Sequence, residues 1–531
     1  VEQTQPELEQ TTKIHIRRLS ALVRPRSWLA SRDYGALLVV ALFLLLLPLS
    51  TPRIYATDEV QYFAYLRSLY FDRDLDFRNE YEHFADLGLR NGDPAVFNAL
   101  LRDKPEDPPR IPATGLYRNV APIGSALLWA PGFALADSLV RAANLLGARI
   151  PADGYSWPYI WAACYMSALY ALLGLLLTYR LAQRFAGTFN AALATITVWL
   201  ATPLVFYSYI LMPWSHANGF FLFALFLTLW IGPESGRQGA AALPATLAAR
   251  RAQRSIGTWM SLGLVGGLMT MTREQLGLLM ILPAAEGLVA YYAIVTNREP
   301  RAERGPLLPG SRFSVGYPLG GSLRRLLAGH TIFLLAFALA LAPQILVYQT
   351  LYGRPRPSST VAGKLNWLSP HFSSTLIDPT HGAFLWSPIL VIGLLGLAWL
   401  WRRDRLLAVL LLLGFLVQTY INGAISTWHL SGSFGFRRLI DSTPIIVLGL
   451  AALVTWLRPR VGRWPLIATA LLLIGWNAAL IANWTALHKE IRPGLVWPDL
   501  WRWQLEAPAK ALARAGDLLF RRCGFFQNGR C

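Results

Sequence analysis

Two adjacent acids, Asp58 and Glu59, stand in IYATDEVQYF, directly after an apolar run that reads as a membrane span. On an ordinary surface helix such a pair is simply solvated. At the outer end of a span, where a polar substrate meets lipid, a partly desolvated carboxylate binds its proton more tightly. It can then take a proton from a hydroxyl as a general base. Asp58 is the first candidate for that role and Glu59 the second, with Tyr62 of the same stretch as a substrate-pocket candidate.

A second set is basic. Arg273 lies in MTREQLG, between two apolar runs too close together to leave a loop. An arginine at that depth is costly without a partner. It is either a snorkelling residue at a helix end or a phosphate ligand, since a guanidinium grips phosphate as a fork. Arg437 and Arg438 lie in STWHLSGSFGFRRLIDSTP, where Gly432 and Gly435 permit a tight turn whose N–H groups could also face an anion. The alternative is a plain loop before the next span. Lys364, in TVAGKLNWLSP, is a further outward cation and joins these as a donor-binding candidate. His216, His381 and His429 are pocket candidates on the same side. A lone histidine is more often a hydrogen-bonded structural residue, and no metal-ligand spacing links the three to Asp58. Tyr207, Tyr209, Trp214, Trp386 and Trp428 fall at the same level, as an aromatic belt or as stacking surfaces for sugar rings. Walker A, GxSxG, HExxH and dinucleotide motifs are absent, so an energy source already in the membrane is the expectation.

The elements that must position these groups are spans. Of 531 residues, 54% are hydrophobic and only 15% charged, against about a quarter charged in soluble domains. The expected fold is all-α, a polytopic membrane protein of about 11 transmembrane helices. Apolar runs centre on 36–51, 158–178, 189–207, 214–232, 256–272, 276–295, 329–350, 383–401, 405–421, 441–457 and 465–483. With the N-terminus in the cytoplasm, the inner segments hold 24 lysines and arginines and the short outer segments 6, as the positive-inside rule requires. The net charge of +19 is thereby explained by topology, and nucleic acid is not an expected partner. The expectation is a multi-pass protein of the cytoplasmic (inner) membrane with an extracytoplasmic C-terminus.

Three regions follow: a basic cytoplasmic N-terminus, 1–35; a transmembrane domain, 36–483; and an extracytoplasmic interfacial tail, 484–531. The first outer loop, 52–157, is too long for a simple connection. Its two ends read as amphipathic juxtamembrane helices lying on the membrane and its Pro-rich middle as a loop. In the tail, LEAPAKALARAGDLLFRR reads as an amphipathic helix. Cys523 and Cys531 are a disulfide candidate if the tail faces an oxidising compartment; Cys164 reads as core. The first apolar run, lacking a cleavage site, reads as a retained signal anchor.

TDEVQYFAYLRSL, YRNVAPIGSALLWAPGF, YILMPWSHANGFFLFAL, GLMTMTREQLGLLMILP, HGAFLWSPIL and GSFGFRRLIDSTP together resemble segments of the GT-C superfamily of integral-membrane glycosyltransferases. The style is similar to bacterial protein O-mannosyltransferases and the lipid A aminoarabinose transferase, over residues 36 to 457. The resemblance implies transfer of a sugar from a polyprenyl phosphate or pyrophosphate to an acceptor at the outer face, with inversion. It implies an acid of the first outer loop as base, hence Asp58 or Glu59. It implies phosphate contacts from Arg273 and Arg437 or Arg438. Acceptors across the family include proteins, lipids and glycans, and metal dependence differs between branches, so a divalent metal is compatible. Two rivals stand beside this reading. One is a lipid-linked glycan transporter or flippase, needing no base. The other is a structural subunit of an envelope membrane complex.

Overall fold

The computed structural model describes residues 33–54, 56–90, 99–102, 109–232, 254–296, 319–358, 363–368, 370–430 and 432–516. The regular structure of the described residues is helical, with two isolated bridges, Arg110–Tyr117 and Leu365–Ile425, and no strand. The main helices in order are α1 (Tyr34–Leu46), α2 (Thr57–Arg67), α3 (Arg78–Arg90), α4 (Gly124–Leu145), α5 (Trp157–Ala186), α6 (Thr188–Leu200), α7 (Ser215–Ile231) and α8 (Ile256–Thr272). There follow α9 (Ile281–Val295), α10 (Leu319–Tyr352), α11 (Ile389–Trp401), α12 (Arg405–Ala424), α13 (Thr443–Val461), α14 (Arg463–Ala482) and α15 (Trp497–Ala513).

Each apolar run expected from the sequence coincides with an apolar helix. Six of these are long and apolar enough to cross a membrane: Trp157–Ala186, Glu274–Val295, Leu323–Tyr352, Arg405–Ala424, Arg437–Val461 and Arg463–Leu487. The other five, Tyr34–Leu49, Thr188–Leu200, Ser215–Ile231, Ile256–Thr272 and Ile389–Trp401, are shorter. A 13-residue helix such as α6 reaches about 20 Å, short of a hydrocarbon core of about 30 Å. The chain is thus a multi-pass membrane protein, but a count of eleven full-length spans does not follow from helix length.

Small residues let the helices meet. A Cβ on Gly449 of α13 would lie 2.0 Å from the Gly393 carbonyl oxygen of α11, and one on Gly396 would lie 2.1 Å from that of Gly449. Backbone-to-backbone packing of this kind replaces the hydrophobic drive that lipid cannot supply. Arginines pin the helix joints at one end of the bundle. Arg184 Nη1–H donates to the Gly232 carbonyl at 2.6 Å, Arg254 to that of Trp230, and Arg403 to that of Phe185. These contacts satisfy C-terminal carbonyls and complement the helix dipoles. The candidate chemistry lies at the opposite end, about 25 Å away along the 17 residues of α7.

The long segment after α1 differs from its expected form. α3 is amphipathic, as read from the sequence. α2, by contrast, buries Glu59, Val60, Gln61, Phe63, Ala64, Tyr65 and Leu66, too many sides for a helix lying on a membrane. The reason is an aromatic core of its own: Tyr65 packs edge-to-face on Phe77 (4.9 Å) and Phe63 on Phe133 (6.0 Å), beside Trp129 and Tyr159. The strap 118–123 has no regular structure, so side chains take its polar groups. Gln61 Oε1 accepts from Val120 N (2.9 Å), Asn119 Nδ2 donates to Gln61 O (2.8 Å), and Gln344 Oε1 accepts from Ile123 N (2.9 Å). In the tail, α15 begins at Trp497, earlier than expected, and buries Leu500, Trp503 and Ala507 while exposing Trp501 and Leu505. Cys523 and Cys531 lie outside the described residues; Cys164 is buried.

Candidate active site

Residues far apart in the chain enclose a cavity of about 200 Å³: Asp58 and Tyr62 of α2, Val120 and Pro122 of the strap, Trp214 and His216 at the start of α7, Arg273, Glu274 and Gln275 after α8, and Arg437 and Arg438 before α13.

The acid pair splits. Successive helical residues point about 100° apart, so neighbours meet different surroundings. Glu59 is fully buried. It reaches back to cap its own helix, accepting from Ala56 N at 2.9 Å, and accepts from Trp214 Nε1–H at 2.5 Å. It is not among the residues lining the cavity, and its bonds are those of a structural group. Asp58 does line it, its side chain 44% exposed, with Arg437 Nη2 at 3.3 Å. Tyr62 follows Asp58 by one turn and faces the same space, its Oη 3.0 Å from Ser215 Oγ. Burial pushes the Tyr62 phenol up from its ordinary value, with Arg273 pulling the other way, so it is a hydrogen-bonding group and not a base.

Arg273 interrupts the helix with extended backbone (φ −151°, ψ 109°) and has 6% exposure. Its cost is met by Asp441, whose Oδ2 lies 2.9 Å from Nε. Its Nη1 lies 3.3 Å from Ser215 Oγ and 2.6 Å from His216 Nδ1. With the Gln275 amide turned so that both groups are satisfied, Gln275 oxygen accepts from Nη2 at 2.5 Å. A guanidinium only donates, so His216 Nδ1 must accept and the ring is the neutral tautomer with its proton on Nε2. Gly219 makes this possible, since a Cβ there would fall 2.3 Å from Asp441 Oδ1 and 2.9 Å from Arg273 Cδ.

The paired arginines also diverge. Arg437 lies over the Trp214 ring at 4.0 Å while holding Asp58. Arg438 donates from Nη2 to Thr427 Oγ1 at 3.0 Å, and its buried Nη1 has no hydrogen-bond partner. Glu274 faces the same cavity and accepts a hydrogen bond from Tyr348 Oη.

Three other sequence candidates lie off the cavity lining. Lys364 is exposed, and its carbonyl accepts from Ser426 N at 2.7 Å. His381 stacks on Trp386 at 5.2 Å, and its Nδ1–H donates to the His429 carbonyl at 2.7 Å. Burial pushes His381 down to about 4, so it stays neutral. His429 contributes that carbonyl. Among the described residues no three His, Cys, Asp or Glu side chains group to hold a metal ion. Glu274 and Gln275 were missed from sequence, although the acid next to Arg273 in MTREQLG was a usable sign. Trp214 as the partner of a buried glutamate had no local signal.

Trp214→Phe keeps an aromatic ring near Arg437 but removes the N–H that serves Glu59, together with part of the buried indole. The expected result is a loss of about 1–3 kcal/mol, because a buried acceptor loses a partner. Thermal unfolding in detergent would register it as a lower midpoint, and an unchanged midpoint would show that Glu59 does not depend on the indole.

No family model matches the chain, and no curated protein does. Two solved structures of the Archaeoglobus fulgidus oligosaccharyltransferase are similar to it at 13% identity. One is tethered with an acceptor peptide containing the NVT sequon via a disulfide bond (TM-score 0.42, covering 91% of this chain and 56% of that one). The other is the apo form (TM-score 0.41, covering 91% and 57%). The chain therefore spans little more than half the length of those structures.

Proposed function

We propose that this chain is a membrane glycosyltransferase that moves a sugar from a polyprenyl-phosphate or -pyrophosphate donor to an acceptor. The observation that carries the reading is Arg438 Nη1, a buried cationic donor without a partner beside a polar cavity that also exposes the Asp58 carboxylate. A buried donor left without a partner is costly, and an anion seated there removes the cost. Guanidinium suits phosphate oxygens, which accept two parallel N–H bonds. Arg437 lies next to it in the chain and supplies a second cation.

In the reaction so read, an acceptor hydroxyl or amine attacks the anomeric carbon from the face opposite the phosphate. The carbon–oxygen bond to phosphate breaks as the new bond forms, the lipid phosphate leaves with the electron pair, and the configuration inverts. Asp58 takes the acceptor's proton. Arg437 and Arg438 hold the leaving phosphate as its charge grows. Arg273, matched by Asp441, shapes the cavity wall. The cavity lies at the bundle end away from the arginine-pinned joints, and the lysine and arginine bias assigns those joints to the cytoplasm. The reading therefore puts transfer at the extracytoplasmic face of the inner membrane.

Gentle purification followed by native mass spectrometry with lipid identification tests this. A polyprenyl-phosphate or -pyrophosphate sugar retained by the protein is the expected result. Bulk phospholipid alone, with no sugar transfer from added polyprenyl-phosphate sugars, would overturn the reading.

A further inference from the structure

One apolar surface lies outside the cavity lining. Val409, Leu412, Leu416 and Tyr420 of α12 are 44%, 41%, 41% and 37% exposed. Their spacing of three and four residues puts them on one face of the helix. α12 is one of the six helices apolar and long enough to cross a membrane, so this stripe is its lipid-facing side. At the end of the stripe the chain does not turn polar. The loop 363–368 lies against the last turn of α12 and adds Trp367, 48% exposed, and Leu368, 98% exposed. It is pinned there by backbone: Asn366 N donates to Ala424 O and Ser426 N to Lys364 O, both at 2.7 Å. Tyr420 Oη donates to the Trp367 carbonyl, and the two rings lie 6.4 Å apart.

We propose that loop 363–368 is a membrane anchor: Trp367 and Leu368 enter the leaflet next to the α12 stripe, and the exposed Lys364 sits among lipid phosphates. Tryptophan and tyrosine favour that level of a bilayer, with lysine above them. An almost fully exposed leucine continuing a lipid-facing stripe is covered by the lipid that covers the stripe, because burying apolar surface away from water is favourable. The anchor also reaches the candidate site. Leu365 bridges to Ile425, and two residues on, Thr427 Oγ1 accepts from Arg438. A loop seated in the leaflet therefore holds Thr427, and through it Arg438, at a set depth relative to the lipid phosphates.

The test is spin labelling of the full chain in vesicles of phosphatidylcholine and phosphatidylglycerol. Cys164, Cys523 and Cys531 are first replaced by serine. Leu368→Cys carries the label, with Leu416→Cys as the lipid reference and the exposed Asp86→Cys as the aqueous one. Leu368 has almost no protein contacts to lose, and Lys364→Cys gives a second labelling site if that variant is poor. Collision with oxygen, relative to collision with a water-soluble nickel chelate, is expected to be several-fold higher at Leu368 than at Asp86 and close to the value at Leu416. Lys364 should fall between. A ratio at Leu368 equal to that at Asp86 would overturn the proposal. So would exclusion of both reagents, which would mean that protein, such as a second copy of the chain, covers the loop. Neither result bears on whether the cavity binds a donor.

Discussion

Replacing Asp58 by asparagine is expected to slow sugar transfer by about 10²–10⁴-fold, the range supplied by a positioned general base. The substitution keeps the shape of the side chain and an oxygen for Arg437, which now lies 3.3 Å away, but it cannot take a proton. Donor retention should therefore stay at the wild-type level while kcat falls, the signature of a contribution made in the transition state. The neighbouring acid is the control. Glu59→Gln alters a fully buried group that caps α2 and meets Trp214. Its expected effect is on the unfolding midpoint, with near-normal transfer in the protein that remains folded. Steady-state kinetics on both variants, with donor occupancy measured alongside, separates the two roles. Full activity in Asp58→Asn would remove it as the base and leave Glu274 as the other carboxylate facing the cavity.

Arg438→Gln is expected to lower donor affinity by about 10- to 100-fold, the scale of a lost hydrogen bond to a charged group. The same change should leave the donor-free protein as stable as wild type, or more so. Glutamine gives up the Nη2 bond to the half-buried Thr427 Oγ1, 3.0 Å long, but the buried nitrogen that lacks a partner disappears with it. Removing a buried, unpartnered donor and its desolvated charge relieves their cost. Weaker binding with undiminished stability distinguishes a ligand-binding residue from a structural one, for which both quantities fall together. The measurements are donor retention by native mass spectrometry and thermal unfolding of delipidated protein. Wild-type donor retention in this variant would mean that the anion sits elsewhere.

Much of this protein could be read along the chain. Where the helices run was legible, because the free energy of moving a segment into lipid is summed over its own residues. Every apolar run found that way became a helix. The acidic stretch at 58–59 and the arginines at 273, 437 and 438 were also visible, because charge at the edge of an apolar run stands out locally. The long first loop was legible in part: α3 is amphipathic, but the aromatic core that buries α2 on several sides comes from residues as distant as Tyr159 and Tyr352.

What each charged group does was decided only in three dimensions. Asp58 and Glu59 are chemically alike and adjacent. One faces a cavity and the other an indole 155 residues away, because a single step along a helix rotates the side chain by about 100°. Arg437 and Arg438 part in the same way, one to Asp58 and the other to Thr427. Glu274 gained its interest from Tyr348 on a different helix, whereas Lys364, His381 and His429 are not among the residues lining the cavity. Burial in lipid is a property of a segment, whereas a partner for a buried charge is supplied by whatever segment folds against it.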